Sequence, residues 1–446
     1  MVSGMHRRTF LERTAAAAAA TTAIALGPGT ATGATTGDGW PMHLADAANT
    51  GHAPGGAGPK RGVEEQRWRF APEVGAPLGP PVVARGLVYA AVGSRVIGVD
   101  PTTGDQRWLK HVDDPVAGAP AVVDGTVYAA TRSGVVRAMD ARSSADVWRY
   151  DGGHNRTSSS PVVADDGVYL ADGLGRVHGI DRATGRQLWQ RGTWGHRMPA
   201  TPAVADGTLY YMGQGEGVFH AVDTADGSER WSVEPGDSAA SPTVSGDTVV
   251  VPVTEPEGAI LALGTDGEER WRTAAPVAAA PATDGELLYV PGDGGLRALG
   301  LDGGELRWTA DLGSRAATPP ALADGALYLG TTDGAIHGVD AGSGEPLWST
   351  GTGRETASAP AVADGRVLAG EADGTLRAVD GDATWADDRT ETARQQDENR
   401  SVTSNASDDE GDGEEQEDQS IGVVATVAGV AGAALAARER RGQNPP

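Results

Sequence analysis

Tryptophan recurs along this chain at Trp68, Trp108, Trp148, Trp189, Trp231, Trp271, Trp308, Trp348 and Trp385. A second series, Pro81, Pro120, Pro161, Pro202, Pro242, Pro281, Pro319 and Pro360, keeps phase with it. A period of about 40 residues is that of a supersecondary unit that buries its apolar face only by stacking on copies of itself. Eight prolines in phase mean eight units. Each unit holds four strand-length segments separated by turn residues, as in Pro202-Ala203-Val204, Thr208 to Tyr211, Val218 to Val222 and Glu229-Arg230-Trp231. Four-stranded antiparallel sheets arranged radially hide their edges by packing face on face. The expected fold is therefore all-β, an eight-bladed β-propeller of four-stranded antiparallel blades, and the 65 glycines in 446 residues suit its many tight turns.

The spacing also indicates how the ring closes. In seven units the tryptophan follows the end of the third strand at a regular interval, as from Asp100 to Trp108 and from Asp340 to Trp348. In the last unit Trp385 comes too soon after Asp380, and no strand follows it. Near the start, Glu65-Gln66-Arg67-Trp68-Arg69-Phe70 is an orphan fourth strand resembling Glu269-Arg270-Trp271-Arg272. This N-terminal strand is expected to close the last blade, leaving Trp385 as a degenerate remnant.

Gly179-Ile180-Asp181 with Thr184-Gly185 and Trp189, and Ala221-Val222-Asp223 with Gly227 and Trp231, resemble the tryptophan-docking motif of PQQ-like repeats, the eight-bladed family named after the pyrroloquinoline quinone alcohol dehydrogenases. The resemblance spans residues 61–385, and a lead-in over 35–60, with Trp40-Pro41-Met42 and Ala48-Asn49-Thr50-Gly51, resembles how such domains begin. It implies that Trp68, Trp108, Trp148, Trp189, Trp231, Trp271, Trp308 and Trp348 dock between neighbouring blades and hold the ring. The chain departs from the motif where Ser144 replaces the turn glycine of the second unit, and where Gly264 and Gly300 replace the aspartate of the fifth and sixth. Quinoprotein dehydrogenases of the family carry adjacent cysteines and calcium ligands in the funnel. This chain has no cysteine and no long insertions between its units. The resemblance is therefore to the non-enzymatic branch, which includes the outer-membrane scaffold lipoprotein of β-barrel assembly. It implies no catalytic residue, no cofactor and no metal ligand.

Binding is expected on the connections from each tryptophan strand to the next proline strand, because variable loops on a rigid frame carry recognition. Arginine and tryptophan anchor interfaces most often, which singles out Arg156, Trp194, Arg197, Arg315 and Arg354 as partner-binding candidates. His178, His220 and His337 share one phase of the repeat with Ile97, Arg137, Leu261, Arg297 and Arg377. A position that accepts such different side chains is expected to be an inter-blade packing site. Asp333-Gly334 and Asp373-Gly374 lack the alternating acidic ligands of a calcium loop and read as hairpin turns.

Charge and the two ends give an address. The net charge of −25 leaves no basic face for nucleic acid, and with lysine only at Lys60 and Lys110 the acidic excess resembles that of halophilic proteins. His6-Arg7-Arg8-Thr9-Phe10-Leu11, then an apolar run from Ala15 to Leu26, reads as a twin-arginine signal peptide over residues 1–34. Residues 386–419 are acidic and almost devoid of apolar side chains, an expected disordered stalk. Residues 420–437 form an uncharged Ala/Gly/Val run of marginal membrane-spanning length, read as a transmembrane anchor, and 438–446 as a short basic cytoplasmic tail. Asn155, Asn399 and Asn405 head glycosylation tripeptides. The sequence thus predicts an exported, membrane-tethered, monomeric propeller that binds a protein or carbohydrate partner at the cell surface without catalysis. The alternative is a PQQ- or metal-dependent dehydrogenase with its cofactor in the funnel.

Overall fold

In a computed structural model, residues 39–382 are described, except 73–74, 154–156, 158, 193–199, 214–216, 255–257 and 352–357. The chain divides into the units Met1–Asp387 and Asp388–Pro446, and every described residue belongs to the first. The described residues form eight antiparallel sheets and no helix. Blade 1 comprises Val82–Ala84, Leu87–Val92, Arg95–Val99 and Gln106–His111, from the axis outward. Blades 2 to 7 repeat the pattern, with inner strands starting at Ala121, Val162, Ala203, Thr243, Ala282 and Ala321. Inner strands are buried except for a half-buried last residue in blades 2 to 5, whereas outer strands alternate, as in Asp146–Asp151, where Trp148 and Tyr150 turn inward.

Because each blade is antiparallel, its connections fall at two ends. The turns from first to second strand and from third to fourth lie on what we term the turn face. The remaining connections, including those that join one blade to the next, lie on the loop face. Two-residue turns such as Asp124-Gly125, Asp206-Gly207 and Asp324-Gly325 place both residues at positive φ, which matches the twist of the hairpins they join.

The ring closes as the sequence predicts. Blade 8 has Ala361–Ala363, Arg366–Gly370 and Leu376–Asp382, and its outer strand is the N-terminal Arg61–Phe70, with Trp68 opposite Ala378 and Phe70 opposite Leu376. Arg69 reinforces the closure through Asp373 at 2.9 Å, Thr375 Oγ1 at 3.0 Å and Glu371 at 3.5 Å. Trp385 lies outside the described residues. One feature exceeds the expected four strands: His52–Ala53 adds a parallel fifth strand on the axial side of blade 7.

Tryptophan docking follows one rule with two departures. The Trp148 indole N–H donates to the Arg182 carbonyl of blade 3 at 2.8 Å, and its ring covers the turn residue Gly185. Trp68, Trp189, Trp231, Trp271 and Trp308 make the equivalent bond to Pro101, Thr224, Thr265, Leu301 and Ala341 at 2.7–3.0 Å. A Cβ built at Gly185 would lie 2.6 Å from the indole, and Gly185 has φ +70°, so both packing and backbone call for glycine. The first departure is Trp348. Blade 8 supplies no third-to-fourth turn, and Trp348 donates instead to the Pro59 carbonyl of the lead-in, at 2.7 Å. The second is Trp108, which faces Ser144 (φ 58°) rather than glycine and whose buried Nε1 has no partner. Its ring stands at 74° to Tyr89, while the corresponding tyrosine–tryptophan pairs lie at 31–50°.

Candidate functional site: the axial channel and its rim

The lead-in segment, for which the sequence suggests no structural role, occupies the axis. Carbonyls of Trp40, Pro41, Ala47, Ala48, Thr50, Gly51 and Ala57 accept backbone N–H bonds from Val83, Val122, Val204, Val244, Thr283, Leu322 and Gly365, in seven of the eight blades. Inner strands end the sheets, so their axial N–H groups have no strand partner. Buried backbone donors require one, and this segment supplies it. To follow the curve of the ring it holds Leu44, Ala45 and Asn49 at positive φ. Asn49 is fully buried and pins the segment, with Nδ2 donating to the Thr201, Pro202 and Pro242 carbonyls at 3.3, 3.1 and 3.0 Å. Asp46 accepts from the Thr50 amide at 3.0 Å and from its hydroxyl. Burial raises its pKa above the usual carboxylate value, partly offset by these bonds.

The segment leaves the loop-face starts of the inner strands free, because in seven blades it bonds the second residue of the inner strand or, at Gly365, the turn beyond it. Toward the loop face the channel widens into a cavity of about 380 Å³. Its wall is made by the residues that precede the strand-opening prolines, among them Gly118, Ser160, Thr201, Ser241, Ala280 and Ala359. On one half of the ring these residues bind each other. The Ala119 amide donates to Ser160 Oγ at 2.9 Å, the Ser160 amide to Thr201 Oγ1 at 3.2 Å, and the Thr201 amide to Ser241 Oγ at 3.0 Å. On the other half alanine and proline stand there, at Ala280, Ala359, Pro80 and, because Pro320 rather than Pro319 directly precedes the inner strand of blade 7, at Pro319. The lead-in contributes His43, whose Nδ1 is buried without a partner and whose pKa burial lowers to about 4, so the ring is neutral at physiological pH.

Pyrroloquinoline quinone is a polyanion held with a metal ion, so its site needs cations and oxygen ligands. Among the described residues, those lining this cavity supply neither a guanidinium, an ammonium nor a carboxylate. The donor set does not fit that cofactor. Among the described residues there is also no cluster of three metal-ligating side chains.

Of the partner-binding candidates, Arg315 is described and sits exposed on the loop face, its Nε 2.8 Å from Asp293 Oδ1 in the neighbouring hairpin. Arg156, Trp194, Arg197 and Arg354 lie outside the described residues, as do residues 1–38 and 383–446 and their predicted signal, stalk, anchor, tail and glycosylation sites. Among the described residues no helix is long and apolar enough to cross a membrane. The repeat-phase histidines do not converge on the axis. His178 bridges blades, with Nδ1 2.9 Å from Tyr150 Oη of blade 2 and Nε2 3.2 Å from Asp172. His220 meets Glu229, which Arg191 of blade 3 also holds, and His337 meets Thr331 of its own blade.

The family model described as outer membrane protein assembly factor BamB matches residues 61–197, 175–317 and 292–425. The structure of BamB from Moraxella catarrhalis superposes with a TM-score of 0.61 at 22% identity, covering 71% of this chain and 99% of that one. The quinohemoprotein alcohol dehydrogenase of Comamonas testosteroni superposes with a TM-score of 0.65 at 15% identity, covering 78% of this chain and 81% of that one. A stretch of 97 residues is 35% identical to the serine/threonine-protein kinase AfsK of Streptomyces griseus, covering 19% of this chain and only 12% of the kinase.

Proposed function

This chain belongs to the family described by the outer membrane protein assembly factor BamB, and from that premise we propose that it is a non-catalytic scaffold of the cell envelope. The observation that carries this reading is the axial channel. Where a cofactor would sit, the described wall is built of glycine, alanine, serine, threonine and proline with the neutral His43, and the lead-in segment fills the far end. The ring therefore offers surface rather than a reaction chamber. Its partner, a protein or carbohydrate, meets the loop face through Arg315 and the neighbouring connections that carry Arg156, Trp194, Arg197 and Arg354. The twin-arginine pattern, acidic stalk and apolar tail support export and tethering to the outer face of the membrane. The acidic surface supports a high-salt habitat.

The test uses the full chain in its own membranes, with a photo-crosslinking residue at position 315 on the loop face or at position 188 on an outer strand. The reading expects one recurrent adduct from position 315, lost in the Trp194→Ala/Arg197→Ala variant, and none from position 188. Equal adducts from both positions, or a stoichiometric quinone on native mass spectrometry, would contradict it.

A further inference from the structure

The unlatched tryptophan borders a pocket that the repeat pattern does not account for. At the turn face of the seam between blades 1 and 2, a cavity of about 460 Å³ is lined by Arg85, Leu87, Tyr89, Arg107, Trp108, Ala141 and Arg142. Two of these arginines are singular in the repeat. Arg85 heads the first turn of blade 1 at φ 54°, a position that is aspartate in six blades, from Asp124 in blade 2 to Asp364 in blade 8, and Gly246 in blade 5. Arg142 stands in the third-to-fourth turn of blade 2, where other blades place Thr102, Ala183, Ala225 or Asp266. In the next seam Asp124 pairs with Arg182 at 2.6 Å, so that turn face is neutralised locally. Here both sides of the seam are arginine.

These guanidiniums lack the usual internal partners. Arg107 is paired with Asp105 at 3.3 Å and Asp100 at 3.5 Å, but Arg85 and Arg142 make no ion pair with any described residue. The nearby Asp140 carboxylate accepts through Oδ1 from the Arg142 and Ser143 amides and the Ser143 hydroxyl, at 3.1, 2.7 and 2.7 Å, and feels the Arg142 guanidinium only electrostatically, without an ion-pair contact. The Ala141 carbonyl, which a latched Trp108 would use, is approached by the Tyr89 hydroxyl at 3.5 Å. The Trp108 indole N–H is thus a buried donor without an acceptor, and such a group is costly unless something fills the role.

We propose that this seam is an oxyanion-binding site, taking a carboxylate, sulfate or phosphate group between Arg85 and Arg142 with the Trp108 indole N–H as a further donor. Guanidinium forks match the geometry of such groups, and Leu87, Tyr89 and the Trp108 ring form an apolar wall beside them. In a chain of net charge −25, two arginines without an ion-pair contact beside a free buried donor are a local exception that a ligand explains.

The test titrates the full chain with sodium sulfate, inorganic phosphate and benzoate at fixed ionic strength, following heat and the ¹⁵N–¹H resonance of the Trp108 indole. The expected result is saturable binding that moves this resonance downfield. Arg142→Ala and Arg85→Ala should each weaken binding roughly tenfold or more, and Trp108→Phe should weaken it while keeping the aromatic wall. Arg182→Ala, at the neighbouring seam, should leave binding unchanged, and thermal midpoints identify any variant that fails to fold. Preference for benzoate assigns the site to an organic carboxylate, whereas preference for sulfate or phosphate assigns it to a tetrahedral anion. Absence of saturable binding by all three probes overturns the proposal. So does binding that survives Arg142→Ala and Arg85→Ala unchanged, which would indicate an adventitious ion only.

Discussion

The seams on either side of blade 2 are built from the same motif and end in different states. Between blades 2 and 3, Trp148 lies over Gly185, its indole bonds to the Arg182 carbonyl, and the turn face is neutralised by Arg182 and Asp124. Between blades 1 and 2, Ser144 holds the glycine position, Trp108 is turned to 74° against Tyr89, its N–H is free, and arginine faces arginine. One added Cβ accounts for the first half of this difference, since no room for it exists beneath a docked indole. The seam at Trp348 shows that the carbonyl need not come from the next blade, because Pro59 of the lead-in serves as well. What the latch requires is a carbonyl and a clear surface beneath the ring.

The largest expected effect is removal of a latched ring. Trp148→Ala and Trp68→Ala should each cost about 3–5 kcal/mol, as for a buried aromatic. Trp108→Ala should cost about 1 kcal/mol less, because no indole hydrogen bond is lost. Denaturant unfolding compares the three, and an equal or greater loss at Trp108 would contradict the unlatched state. Next, Gly185→Ser should copy the open seam onto the closed one. It should cost about 2 kcal/mol, combining left-handed backbone strain with a lost hydrogen bond, and a structure of the variant should show Trp148 turned. The reverse change, Ser144→Gly, should stabilise the protein by about 1 kcal/mol through relief of the same strain. A decrease in its thermal midpoint would show that Ser144 is not the cause.

The smallest effect separates the seams by pH. Burial raises the Asp172 carboxyl, but bonds from His178, Arg176 and Leu174 outweigh it and hold the pKa below its ordinary value of 3.8. Its contribution is complete above that value and is lost as pH falls through the lower folded value, where the unfolded chain takes up a proton first. Asp172→Asn should therefore reduce proton uptake on acid unfolding by up to one proton. An unchanged slope of stability against pH would show that the carboxylate does not support the seam.

The eight blades and the N-terminal closure were legible because proline and tryptophan mark every unit and because Trp68 was one strand in excess. The axial path of residues 40–57 was not. Its partners are backbone N–H groups spread over seven blades, and Ala47, Ala48 and Gly51 carry no periodicity that would reveal them. Ser144 stood out in the sequence as a departure, yet its consequence depends on Arg85 and Trp108 of another blade, which no local pattern brings together. The loop-face candidates rest on residue type within variable connections, and Arg315 is the one whose geometry is described.

The most direct test is solvent exchange at the indole N–H groups, resolved by nitrogen-15 spectroscopy and assigned by single tryptophan-to-phenylalanine variants. Seven latched indoles and one open seam predict slow exchange at Trp68, Trp148, Trp189, Trp231, Trp271, Trp308 and Trp348, with Trp108 exchanging fastest and lying upfield. Protection of Trp108 equal to that of Trp148 would mean that its N–H is bonded after all, and would remove the distinction between the two seams.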